Sequence, residues 1–196
     1  MSREAAGSTE AVVGAGRAER PVLYLDIDGV LWDVDQTSPA GIGYGARGAR
    51  GIGIFVKFAL EHFEVRWCTM WAPSGTLHME GRETLAQHTG IPASTWARVR
   101  SSKGHVRFKH ETIDHAEHLA GRPFVWVEDG LLPEEHQWLR GNGWQDRYFH
   151  TDVFADPDAL VKTTLHALPS GTCPEEGQVK STRHRSSSAP PQAGVP

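Results

Sequence analysis

The chain has two cysteines among its 196 residues and no run of apolar residues that approaches the length of a membrane span. A spanning helix needs about 18 such residues. Cys68 lies in an apolar run and Cys173 in a polar segment, so the sequence predicts neither a disulfide framework nor a four-cysteine zinc site. The N-terminal segment lacks the apolar region of a secretory signal. We therefore expect a cytoplasmic protein without a membrane partner.

Composition divides the chain into one domain and two tails. Hydrophobic residues make up 39% and charged residues 22%, values typical of globular proteins. Residues 1–20 are rich in Ala, Gly and Glu, residues 169–196 are rich in Ser, Pro and Gly, and both compositions favour disorder. Residues 21–168 are enough for a single core. The net charge of −4 gives no general attraction to nucleic acid, so any such binding must be local.

Predicted strands and helices alternate along the domain. The apolar runs and helical spacings predict strands at 21–25, 65–68, 96–100, 124–127 and 148–153, and helices at 54–63, 81–89, 109–120, 134–140 and 157–168. This alternation favours an α/β fold in which helices cover a parallel sheet.

Polar side chains directly follow three of the predicted strands. Asp26 and Asp28 follow the first, Thr69 the second, and Glu128 and Asp129 the strand at 124–127. The carboxyl ends of parallel strands share one edge of a sheet, where ligands bind. Carboxylates gathered there repel one another and raise each other's pKa unless a cation joins them. The sequence therefore predicts a Mg²⁺ site formed by three or four of these carboxylates, since oxygen ligands suit this ion.

These residue types suit phosphoryl transfer. A carboxylate beside Mg²⁺ can attack phosphorus, and Asp26 is placed best for forming such an aspartyl-phosphate. Asp28 can protonate the leaving oxygen and then deprotonate the attacking water. Gly29 permits the backbone to turn sharply directly after Asp28. Thr69 and Lys109 can hold the phosphoryl oxygens; Lys109 opens a predicted helix, and helix N-termini favour phosphate.

The motifs resemble those of a known superfamily. The segment LYLDIDGVL resembles the first motif of the haloacid dehalogenase-like (HAD) phosphohydrolases, and Thr69, Lys109 and Glu128-Asp129 follow in the order of its other three motifs. Together with VRWCTMW, FKHETI and GRPFVWVEDG, it is similar to the compact HAD domain of bacterial Swiss Army Knife RNA-repair proteins, over residues 21–168. The resemblance implies a Rossmannoid three-layer sandwich with a parallel central sheet.

The resemblance also implies a role for each motif residue. Asp26 is the nucleophile and a metal ligand, and Asp28 is the acid and base, with its backbone carbonyl on the metal. Thr69 and Lys109 bind the phosphate, and Asp129 is the main metal ligand of the fourth motif.

Glu128 departs from the pattern, because many relatives have two aspartates in the fourth motif. The extra methylene moves a carboxylate by about one C–C bond. If Glu128 contacts the metal or its water, the geometry of the site changes; if only Asp129 does so, the change has no effect.

The family usually covers its site with an inserted cap domain, but residues 32–53 and 71–108 are too few for a large cap. An uncapped site favours an extended substrate such as an RNA or DNA end. The segment from Trp96 to Lys109 carries five basic residues, no acidic residue and the aromatics Trp96 and Phe108, a pattern that suits single-stranded nucleic acid. A solvated loop and edge strand explain the same pattern.

Our interpretation is a Mg²⁺-dependent phosphohydrolase acting on nucleic-acid ends or nucleotides. The alternatives are a catalytically silent domain that binds a phosphorylated partner or nucleic acid, and a phosphotransferase that uses the same residues.

His110, Asp114 and His118 have helical spacing that can suit zinc, although exposed helical histidines are commoner. Trp32 and Trp71 follow site motifs and either line the pocket or belong to the core.

Overall fold

The computed structural model describes residues 19–33, 47–105 and 107–167, so the predicted tails lie outside the described residues except for positions 19 and 20. The strands are β1 (Val22–Leu25), β2 (Trp32–Asp33), β3 (Arg47–Gly48), β4 (Glu64–Trp67), β5 (Phe124–Glu128) and β6 (Tyr148–His150). The α-helices are α1 (Ile52–His62), α2 (Met79–Thr89), α3 (Ala93–Trp96), α4 (His115–Leu119), α5 (Pro133–Asn142) and α6 (Ala159–Ala167). Over these ranges, no helix is both long and apolar enough to cross a bilayer.

Four parallel strands form the main sheet, in the order β4-β1-β5-β6. The central strand β1 is in register with both neighbours, so that Val22 lies beside Glu64 of β4 and Phe124 of β5. Parallel neighbours need long crossover connections, which explains why helices separate the strands in sequence. The predicted α/β class with a parallel sheet is confirmed. A separate antiparallel pair joins β2 and β3.

Helices cover both faces of the sheet, because alternate residues of β1 point to opposite sides. Leu23 and Leu25 belong to the core cluster that includes residues of α1, α2, α3 and α6. Val22 and Tyr24 belong to a second cluster with Leu139 of α5. All four residues of β1 are at most 1% exposed, which accounts for its uninterrupted apolar sequence. The result is a three-layer arrangement.

The strand predicted at 96–100 is wrong. Residues 93–96 form the short helix α3, and the following segment meets the sheet through a single bridge between Arg66 and Arg100. Trp96 and Val99 are the buried residues of this stretch, and their three-residue spacing suits a helical turn better than a strand. The Trp96 ring packs against Trp67 at 6.1 Å between centroids.

The single helix predicted at 109–120 is also wrong, because the chain breaks within it. A 3₁₀ helix, Lys109–Thr112, is followed by extended backbone at Ile113, which is buried. The Asp114 side chain then accepts the Glu117 N–H at 3.2 Å and caps α4. Lys109 therefore begins a single 3₁₀ turn that leads into a second, separately capped helix.

Candidate active site

Three carboxylates meet at the carboxyl edge of the sheet, between β1 and β5. Asp26 follows β1, while Glu128 ends β5 and Asp129 follows it. One carboxylate oxygen from each of the three lies within 4.8 Å of the others, and we call these residues the acidic group. The chain runs from β1 to β4 on one side and then to β5 on the other. The acidic group thus lies at the reversal of strand order, where open α/β sheets bind ligands.

One lysine faces two members of the acidic group. The Lys109 Nζ donates to both carboxylate oxygens of Glu128, at 2.8 and 2.9 Å, and lies 3.1 Å from Oδ2 of Asp26. Glu128 is fully buried and Asp26 is 2% exposed. One ammonium cannot balance three ionised carboxylates, so the site has an excess of negative charge when all three are ionised. A hard divalent cation is suited to supply the missing positive charge.

Burial and charge act together on these groups. Burial raises the pKa of Asp26, and the Lys109 ammonium opposes this rise. The pKa of Glu128 is raised well above its ordinary value by burial and then by the Asp26 charge, again against Lys109. Burial alone would lower the pKa of Lys109, but Asp26 and Glu128 outweigh it and raise the pKa. The ammonium therefore stays charged, and burial favours the protonated forms of the two carboxyl groups more than in water.

The Asp28 side chain lies outside the acidic group and is held by two tryptophans. The Trp32 Nε1 donates to its Oδ1 at 2.6 Å, and the Trp71 Nε1 donates to its Oδ2 at 2.8 Å. The two rings meet edge to face at 5.1 Å. Both tryptophans thus contact a predicted site residue, although Trp32 is also part of the core. Of the four predicted metal ligands, three side chains converge and that of Asp28 does not.

Gly29 is the point of closest approach between the first and fourth motifs. Its φ of 71° lies in the left-handed region, which suits glycine. A Cβ at this position would lie 2.2 Å from Oδ2 of Asp129 and 2.7 Å from the Asp129 Cβ. The Gly29 carbonyl also accepts the Val153 N–H at 2.8 Å. The glycine therefore permits both the turn and the position of Asp129.

Thr69 occupies the same edge of the sheet, beyond β4. The N–H of the preceding Cys68 donates to the Leu25 carbonyl at 2.9 Å, which continues the pairing of β4 with β1 up to the site. Thr69 is 1% exposed, and its Oγ1 accepts the Trp71 N–H at 3.3 Å. The predicted phosphate-binding threonine is thus placed beside the tryptophan that contacts Asp28.

Glu135 is a buried site residue that the sequence analysis missed. Its Oε1 accepts the backbone N–H of Lys109 at 2.9 Å, and its Oε2 accepts that of Leu132 at 2.9 Å, at the start of α5. A glutamate shortly after a helix start is typical of a capping box, so its local role could have been predicted. Its contact with Lys109 depends on tertiary packing.

The basic segment does not present the predicted pattern of aromatic and basic side chains. Trp96 is fully buried, so it cannot stack on a base, and this part of the prediction is wrong. Arg100 pairs with Glu64 at 2.9 Å, and Lys103 pairs with Asp114 at 3.1 Å. With Lys109, which pairs with Asp26 and Glu128, three of the five basic side chains therefore have acidic partners within the protein.

The histidines of the broken helix have other partners than a metal. His118 lies between the Tyr24 hydroxyl at 3.0 Å and the Arg122 carbonyl at 2.7 Å, so both ring nitrogens are engaged. His110 stacks between Phe108 and Trp138. In the described ranges, the side chains close enough to share a metal are those of the acidic group.

Comparisons with known proteins assign no family to this chain, so the evidence for its function is the geometry of the acidic group and its neighbours. No family model, curated protein or solved structure matches this chain.

Proposed function

We propose that this protein is a Mg²⁺-dependent phosphohydrolase of the HAD superfamily that acts through an aspartyl-phosphate. One observation carries the proposal. Asp26, at the carboxyl end of the central strand, contacts the same lysine as Glu128 and belongs to the acidic group together with Asp129. A buried carboxylate with a cation on one side and metal-binding oxygens on the other is placed as a nucleophile for phosphorus.

The acidic group fits a magnesium ion. When ionised, its three carboxylates carry more negative charge than Lys109 can balance, and their oxygens lie within 4.8 Å of one another. Asp26, Glu128 and Asp129 would hold the ion, which means that Glu128 contributes to the site despite its extra methylene. When bound, the ion supplies positive charge to the phosphoryl oxygens and favours the ionised form of the nucleophile.

Asp26 and Asp28 divide the reaction between them. An oxygen of Asp26 attacks phosphorus, and the bond from phosphorus to the leaving oxygen breaks while Asp28 gives that oxygen a proton. Water then attacks the phosphorus of the aspartyl-phosphate, Asp28 takes its proton, and the bond to Asp26 breaks. The separation of the Asp28 side chain from the acidic group supports this division, since a carboxylate free of the metal can exchange protons.

Lys109 and Thr69 complete the site. Lys109 offsets the negative charge beside Asp26, so that an anionic phosphate can approach a carboxylate. The hydroxyl of Thr69, at the same sheet edge, can donate to a phosphoryl oxygen, because the contact made to it by the Trp71 N–H uses only an acceptor position.

The substrates that we propose are phosphorylated RNA or DNA ends and nucleotides. Between β4 and the 3₁₀ helix at Lys109, the described residues form the two helices α2 and α3, and both contribute to the core. A site with no domain over it in this part of the chain suits a substrate that itself covers the crevice.

Phosphate release from a substrate panel tests the proposal. The panel contains 3'- and 5'-phosphorylated oligonucleotides, nucleotides and an aryl phosphate, each with Mg²⁺ and with chelator. We expect turnover by the wild type with Mg²⁺ and its loss in Asp26→Asn and in chelator. Activity that survives both would contradict the proposal, as would a wild type that releases no phosphate from any member.

A matched variant separates chemistry from folding. Asp146→Asn changes an exposed aspartate of the second 3₁₀ helix, Gln145–Arg147, by the same single group. We expect this control to keep wild-type turnover. Hydrolysis of small sugar phosphates far faster than of oligonucleotides would reject the nucleic-acid end as the substrate while leaving the phosphohydrolase in place.

A further inference from the structure

Trp71 is the one exposed tryptophan of the seven in the chain, all of which the structure describes. It is 38% exposed, whereas the other six are buried or half-buried. The residue lies on the loop after β4, two positions beyond Thr69. Consecutive Cα atoms are about 3.8 Å apart, so the Cα of Trp71 lies within about 8 Å of that of the proposed phosphate-binding threonine.

Hydrogen bonds at both ends of the residue fix the position of the Trp71 indole. Its backbone N–H donates to Oγ1 of Thr69 at 3.3 Å, and its Nε1 donates to Oδ2 of Asp28 at 2.8 Å. Trp71 therefore spans from one residue of the crevice to another, and its exposed surface borders the crevice between them. Because the indole N–H is already engaged, the surface that the side chain offers there is aromatic carbon.

The neighbouring Met70 extends the apolar surface of this loop. It is 61% exposed, and its Sδ lies 3.2 Å from Nε2 of the buried His105. A thioether makes favourable contacts with the edges of aromatic rings. Two consecutive apolar side chains thus lie exposed on the loop that carries Thr69, beside a site whose other contacts are charged or polar.

We propose that Trp71 is a specificity residue that stacks on the nucleobase of a nucleotide whose phosphate lies at Thr69, an inference that rests on the proposed function. A nucleotide carries a flat aromatic base one sugar away from its phosphate, and every base has a face that can stack on an aromatic side chain. An indole that is already held in place loses little freedom on binding, so the stacking contributes to affinity. The substrate class is therefore a nucleotide or a nucleic-acid end rather than a sugar phosphate.

Binding of ligands that differ in the base tests the stacking. The full-length Asp26→Asn variant, which should bind without turnover, is titrated calorimetrically in Mg²⁺ with adenosine 3'- and 5'-monophosphate, ribose 5-phosphate and phosphotyrosine. We expect at least one adenosine phosphate to bind at least about tenfold more tightly than ribose 5-phosphate. Adding Trp71→Ala should reduce this preference to less than about twofold, the loss expected when a stacking ring is removed.

Two further variants isolate the ring. Trp71→Phe lacks the indole N–H but keeps a ring, so it should retain most of the preference, because the lost hydrogen bond to Asp28 affects both ligands alike. Leu119→Ala is the matched control, since it removes a 64% exposed apolar side chain from α4. That helix packs through His118 against Phe124, at the opposite end of β5 from Asp129, and the control should keep the full preference.

Three outcomes of the titrations would overturn the stacking. They are no preference for the adenosine phosphates, a preference that Trp71→Ala leaves unchanged, and a preference that Trp71→Phe loses as completely as Trp71→Ala. A loss of affinity for phosphotyrosine larger than that for both adenosine phosphates in Trp71→Ala would also overturn it, because it would assign this surface to a phosphorylated protein.

The Trp71 indole signal provides a second measurement. In the Asp26→Asn chain labelled with ¹⁵N-tryptophan, the resonance that disappears on Trp71→Phe should shift more with the adenosine phosphate than with ribose 5-phosphate, and equal shifts would refute the stacking. A wild type that releases no phosphate, together with a preference that depends on Trp71, would refute the proposed function and leave the nucleobase site standing. Phosphate release without such a preference would refute the nucleobase site alone.

Discussion

Replacing Gly29 by alanine should damage the site through one well-defined contact. The new Cβ would lie 2.2 Å from Oδ2, 2.6 Å from Cγ and 2.7 Å from Cβ of Asp129. Ordinary contacts between carbon atoms are about 3.5 Å or longer, so the Asp129 side chain must move by about 1 Å. Because its Cβ is also too close, rotation of the carboxylate alone cannot relieve the overlap.

Gly90 is a matched control for the backbone strain. Both glycines have a φ of 71°, but a Cβ on Gly90 would meet nothing within 4 Å. Gly90→Ala should therefore lower the free energy of unfolding by about 1–2 kcal/mol, the cost of placing an L-residue in the left-handed region. Gly29→Ala carries the same strain and adds the overlap with Asp129, so its loss should be larger.

Activity and metal binding should separate the two variants further. A displacement of about 1 Å in a catalytic group can lower the rate about 100-fold, so we expect a loss of this order in Gly29→Ala and none in Gly90→Ala. Urea unfolding in chelator measures the stabilities, and calorimetric titration with Mg²⁺ measures the affinity. Equal stability losses and equal Mg²⁺ affinity in the two variants would refute the packing of Gly29 against Asp129.

Three further predictions address the charges. Lys109→Met should destabilise the metal-free protein by about 3 kcal/mol in urea unfolding, because it leaves Asp26 and Glu128 without their ammonium; a loss below about 1 kcal/mol would argue against the pairing. Mg²⁺ should raise the melting temperature of the wild type and not that of Asp129→Asn, and a rise of the same size in both would exclude Asp129 as a ligand. Burial raises the pKa of Glu117, but hydrogen bonds from Arg66 and Arg122 outweigh it, so the pKa lies below its ordinary 4.5. The stabilisation of the folded state by ionised Glu117 is therefore present above pH 4.5 and is lost as the pH falls through the lowered pKa. Glu117→Gln should lower the free energy of unfolding by about 2 kcal/mol in urea at neutral pH, and this difference from the wild type should shrink on acidification. A difference that does not change with pH would contradict a lowered pKa of Glu117.

The convergence of the acidic group was predictable from the sequence. Asp26 directly follows one apolar run and Asp129 follows another after Glu128, and parallel strands end at a common edge, so the strand pattern brings the two together. Glu128 was left with two possible roles, and its contacts with Lys109 required the coordinates. The strand pattern identifies which residues reach the edge of the sheet, but it does not determine which carboxylates pair with Lys109 there.

The features that the sequence did not reveal depend on how loops pack. The hydrogen bonds from Trp32 and Trp71 to Asp28 join the segment after β1 to the segment after β4, and neither tryptophan carries a local signal for binding Asp28. The strand predicted at 96–100 failed because a short apolar stretch is compatible with both a helix and a strand. The buried Trp96 made that segment look like a nucleic-acid platform, when its ring is part of the core.

Glu135 accepts two hydrogen bonds, which make the backbone position of Lys109 depend on the start of α5. One oxygen of this carboxylate closes the first turn of α5, and the other anchors the chain at Lys109. The backbone at Lys109 is therefore held by a side chain that lies 26 residues later in the sequence. Fraying of the first turn of α5 would loosen the backbone at Lys109 while the hydrogen bonds of the sheet remain.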